Sequence, residues 1–88
     1  MNTIHLDVSE LAAPEPYALA IEALSGLPLL SVLSMTHRKE PFPLYQAADE
    51  MGFDHHTMCL NNSVVSIHFW HKGNQQAAMH YATLTPTD

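Results

Sequence analysis

The chain has 88 residues, 47% of them hydrophobic and 14% charged, which suits one globular domain with a single modest core. Nine acids against three bases leave a formal charge of -6, which argues against an electrostatic grip on nucleic acid or on an anionic membrane surface, since both need clustered Lys and Arg. Cys59 is the only cysteine, so no internal disulfide forms; with no basic, apolar leader in the opening residues, the expectation is a cytoplasmic protein without a membrane span. Seven histidines make the surface field sensitive to pH near 6.

In "TIHLDVSE", Ile4, Leu6 and Val8 alternate with His5 and Asp7, the period-two pattern of a half-buried strand. Pro14 and Pro16 follow, where a first helical turn tolerates proline because its missing N–H has no partner to lose. Tyr17, Ala20, Ile21 and Leu24 then supply the apolar stripe of an amphipathic helix, which Gly26 and Pro28 stop. Residues 29–36, "LLSVLSMT", read as a central buried strand. The same grammar returns after it: Pro41 and Pro43 open a second helix, Leu44, Ala47, Ala48 and Met51 form its stripe, and Gly52 ends it.

The run "FDHHTMCLNNSVVSIHFWHK" predicts two strands joined by a two-residue turn at Asn61 and Asn62. Such a turn pairs Cys59 with Val64, Thr57 with Ser66, His55 with His68 and Phe53 with Trp70, leaving Met58, Val65, Ile67 and Phe69 for the core. The domain is expected to close by residue 73. Residues 74–88 form an extension, a short helix or edge strand around residues 75–81 followed by a frayed end. The order β-α-β-α-β-β predicts an α/β (α+β) two-layer sandwich, a mixed four-stranded sheet with both helices on one face. Both helix N-termini then share the edge beyond the C-terminal ends of the first two strands, where open α/β sheets usually hold ligands.

"LDVSELAAPEPYALAIEAL" resembles the opening of TusA/SirA-like sulfur-carrier domains, which run Leu-Asp, a short loop, then Cys-Pro-x-Pro and a helix. "HRKEPFPLYQAADEMGF" is similar to an uncharacterised branch of that superfamily, DUF 2249, and the likeness spans residues 4–71. The resemblance implies the same sandwich, and a sulfur chemistry residing in a thiolate at a helix N-terminus. At the matching position this chain has Ala13, so the sulfur-relay role does not carry over.

The residues offer three functional readings. The leading one is a non-enzymatic binding or accessory module that contacts a protein partner, with no cofactor. Its binding edge comprises Ala13, Pro14, Glu15 and Pro16 with His37, Arg38 and Lys39, two of the chain's three bases lying in that last cluster. On the open sheet face, Phe53, His55, His68 and Trp70, together with Val64 and parts of Leu29, Leu33 and Met35, leave more apolar surface than a free monomer shows. Either a homodimer through that face or cover from the C-terminal tail would account for it. The second reading is a sulfur-transfer protein in which Cys59 or a partner's thiol replaces the missing one. The third is a metal site at His55 and His68, joined by His5. Cys59 is excluded from that site by its distance of about 13 Å from His55 along the strand.

Overall fold

A computed structural model describes residues 2–12, 14–61 and 63–82. Seven elements follow in order: β1 (Asn2–Asp7), α1 (Glu15–Ser25), β2 (Ser31–His37), α2 (Phe42–Glu50), β3 (Phe53–Asn61), β4 (Val64–His71) and α3 (Gln75–Ala82). The four strands form one mixed sheet in the order β1-β2-β4-β3. β1 runs parallel to β2, while β4 is antiparallel to both β2 and β3. The expected α+β sandwich is present, with α1 and α2 on one face.

Between those helices and the sheet lies the main core. β2 and β4 supply Leu33, Met35, Ile67 and Phe69, and the helices supply Ala20, Leu24, Leu44 and Ala48. β2, the inner strand beside the edge strand β1, is buried along nearly its whole length, whereas β1 is mostly exposed. It starts two residues later than its composition predicts. Leu29 and Leu30 form a turn closed by the Ser31 N–H on the Pro28 carbonyl, and both side chains are exposed. Leu33 and Met35, expected partly on the open face, are fully buried in the main core.

The helix ends differ from each other. Gly26 closes α1 at φ −105°, a conformation open to any residue, so Pro28 is what prevents resumption. Gly52, after α2, has φ +96° and uses the left-handed conformation that favours glycine.

The β3–β4 hairpin departs most from expectation. Asn61 pairs with Val64 and Cys59 with Val65, so Leu60 is an extra residue in a β-bulge. Asn62, half of the expected turn, lies outside the described residues; Ser63 N–H donates to Asn61 Oδ1 at 3.3 Å. The bulge slips the register by one: His56, not His55, stands opposite His68, and Phe53 pairs with His71 instead of Trp70. Because side chains alternate across the pleat, that slip exchanges the faces of β3. Phe53 is buried in the main core, and His55 faces α2, where its ring stacks on Tyr45 at 3.9 Å between centroids. Met58, expected in the core, moves to the opposite face and is partly exposed.

The middle of that opposite face is covered, while its β1 and β3 margins stay exposed. The C-terminal extension forms the helix α3, whose Ala77 and Tyr81 pack on Val32 and Trp70 in a second small core. Asn74 caps it, its Oδ1 accepting the Ala77 N–H at 3.1 Å. Tyr81 stacks on Trp70 and His68, and Trp70 keeps only 5% of its surface exposed. Of the two expectations for this face, cover by the tail is the one realised. A homodimer through it would first have to displace α3. The frayed end, residues 83–88, lies outside the described residues.

Candidate functional site: a cleft between two proline-led helix starts

Each strand of the parallel pair β1 and β2 leads into a helix whose first turn contains proline, and the two starts lie side by side. Pro14 precedes α1 and Pro16 sits in its first turn; Pro41 and Pro43 do the same for α2. Rings that cannot donate hydrogen bonds therefore form the walls where two ordinary helix starts would present N–H groups. Between them is a cleft of about 270 Å³, floored by Met35 and Leu44 and flanked by Tyr17.

Three polar side chains, His37, Lys39 and Glu40, interrupt these apolar walls. His37, the last residue of β2, is 8% exposed, and its Nδ1 accepts the Lys39 backbone N–H at 3.2 Å. The pairing makes Nδ1 an acceptor, so the neutral ring carries its proton on Nε2. Burial, helped by the nearby Lys39 ammonium, pushes the His37 pKa below its usual value, favouring this neutral form. Lys39 itself is exposed and has no ion pair among the described residues. Glu40 also lines the cleft; its carboxylate accepts the Tyr45 hydroxyl at 3.3 Å. Tyr45 is further bonded to Thr57, and burial raises its pKa to about 12.

Of the expected binding edge, Pro14, Pro16, His37 and Lys39 meet in the cleft. Glu15 is exposed and does not line it. Arg38 points toward Glu10 at 4.0 Å, away from the lining. Ala13 lies outside the described residues. Tyr17, which its spacing places on the core stripe, is instead 44% exposed at the cleft. Pro16, which carried no core expectation, takes the buried position on α1 together with Ala20 and Leu24. A spacing of four residues from Pro16 to Ala20 to Leu24 was the signal for that helix face.

The expected histidine site comes apart at the hairpin. His68 faces α3 while His55 faces α2, so the two cannot share an ion across the sheet. A different row forms instead on the α3 face. His5, Ser34, His68 and His56 lie in register across all four strands, with Ser34 Oγ 3.3 Å from His68 Nε2. Among the described residues, no group of three or more His, Cys, Asp or Glu side chains is arranged to hold a metal ion. Burial lowers the His68 pKa, and His56, His5 and His80 lower it further. Cys59 is exposed near the end of β3 and is not part of the cleft.

No helix among the described residues is long and apolar enough to cross a membrane. No family model matches this chain, and no curated protein or solved structure matches it either.

Proposed function

We propose that this protein is a non-enzymatic binding module that contacts a protein partner through its proline-led edge. The observation that carries the reading is the apolar cleft between the starts of α1 and α2. Exposed aromatic rings beside it extend the contact surface: Phe42 is 65% exposed at the start of α2, edge-on to Tyr45, and Tyr17 stands at the cleft wall. Aromatic groups at a concave, mostly apolar surface are the usual anchors of an interface. Among the described residues, the lining holds no cysteine, serine or threonine. The resemblance to sulfur carriers is compatible with this role, with Ala13 in place of the reactive thiol.

Site-specific photo-crosslinking in the native cell tests the reading. A benzophenone amino acid at Phe42 should capture one discrete partner, and the same group at Glu22, exposed on α1, should not. Equal capture from both positions, or none from Phe42, would overturn it.

A further inference from the structure

The cleft combines apolar walls with two polar groups that the protein leaves unused. His37 Nε2 has no hydrogen-bond partner among the described residues; the residue is 8% exposed overall, and this nitrogen is one that water still reaches. Its Nδ1 is already occupied by the Lys39 N–H, so the unused nitrogen is a donor. Solvated rather than committed to another protein group, this donor is free to meet an acceptor that enters the cleft. Lys39 adds a cation without an ion pair to the same lining. Donor and cation together suit a negatively charged acceptor, while Met35, Leu44 and the prolines suit an apolar body.

We propose that the cleft binds an apolar group carrying a single carboxylate, the carboxylate meeting the Lys39 ammonium and the His37 Nε2–H. The proposal rests on the reading of this edge as the binding surface, and names the chemistry recognised there. Glu40 biases the choice of anion: its carboxylate borders the same cleft, so a doubly charged phosphate meets about twice the repulsion that a monocarboxylate meets. Arg38, directed to Glu10, does not add a second cation to the lining. A carboxylate of this kind can belong to a free organic acid or to the chain end of a partner whose last residue is apolar.

Titrations of the full chain followed by NMR separate these cases. Hexanoate and its neutral amide serve as one probe pair; a pentapeptide ending in leucine, with a free or an amidated C-terminus, serves as the other. The expected result is that at least one carboxylate shifts the Met35 methyl and the His37 ring, binding about tenfold tighter than its own amide. The bound carboxylate should also raise the pKa of His37, since an anion favours the imidazolium, and the amide should not. The Tyr17 phenol, Glu40 and Lys39 are the ionisable groups that share the lining with His37.

Lys39→Met, a change on an exposed loop, should remove most of the preference for acid over amide while leaving the thermal midpoint unchanged. Tighter binding of hexanoate assigns the site to free acids, and tighter binding of the peptide assigns it to a chain end. Absence of both at about 10 mM, equal affinity of acid and amide, or a preference that survives Lys39→Met would overturn the proposal. Capture at Phe42 reads out independently, so a partner that crosslinks there without any carboxylate preference sinks this inference and leaves the binding reading standing.

Discussion

Three imidazoles in this fold are shielded from water to different degrees: His37 is buried, His68 is half-buried and His55 keeps an exposed side. His37 is enclosed at the end of β2, His55 lies under Tyr45, and His68 sits beneath Tyr81. All three have their pKa lowered, chiefly by desolvation; for His55, Asp54, Glu40 and Asp49 pull in the opposite direction. A histidine with a lowered pKa binds fewer protons folded than unfolded between that value and about 6.5. Stability therefore rises with pH across this window and falls as pH drops below 6.5. Asp7 and Asp49, with carboxyl pKa values lowered by Ser9 and Lys72, take effect only further into acid. Urea midpoints should thus fall between pH 7.5 and pH 5.5, ahead of carboxylate titration. His68→Gln should flatten that slope; an unchanged slope would remove His68 from the account.

The helix ends allow a paired test at the scale of elements. A Cβ added at either Gly26 or Gly52 meets nothing within 4 Å, so only the backbone decides the outcome. Gly52→Ala should cost about 1–2 kcal/mol, because alanine must adopt the left-handed conformation. Gly26→Ala should be neutral or stabilise by about 0.4–1 kcal/mol, because φ −105° suits alanine and the unfolded chain loses freedom. Thermal or urea unfolding of the two variants checks the contrast. For α3, Tyr81→Ala should cost on the order of 3 kcal/mol, the usual range for removing a buried aromatic ring. Trp70 is the only tryptophan and stacks directly on Tyr81, so a red shift of its emission would report the opening.

How far the sequence disclosed these elements depends on how local their cause is. Both proline-led helices, and the shared edge they create, were legible because proline and glycine act through their own backbone. The alternation of β4 was equally clear, since Ile67 and Phe69 match the pleat. The register of β3 was hidden, because it depends on a bulge whose extra residue, Leu60, has no compositional mark. α3 was only half visible. Among the described residues its buried side chains are Ala77 and Tyr81, four residues apart, and the cap at Asn74 was the overlooked signal. The cleft depends on which groups remain unpaired after folding, and no spacing discloses that.

For the molecule as a whole, the sheet serves two unequal cores. One lies under α1 and α2; the other, four buried residues around Trp70, depends on the last helix. A chain ending at residue 73 should keep the larger core and its far-UV signature but bare Val32 and Trp70. Such an exposed apolar face favours association. Size-exclusion chromatography should show it eluting as a larger species than the full chain. A monomeric, folded truncation would mean that the cover is dispensable.

The extra residue at Leu60 bears on how this chain can change over time. Parity along β3 decides whether Phe53 and His55 meet the helices or Asp54 and His56 do. A substitution at the hairpin leaves that parity intact, but the gain or loss of one codon there would turn the strand inside out. Asp54 would then enter the core, and Tyr45 would lose its partner ring. Lineages of this protein should accordingly vary freely in what the hairpin is made of, while conserving the number of residues it contains.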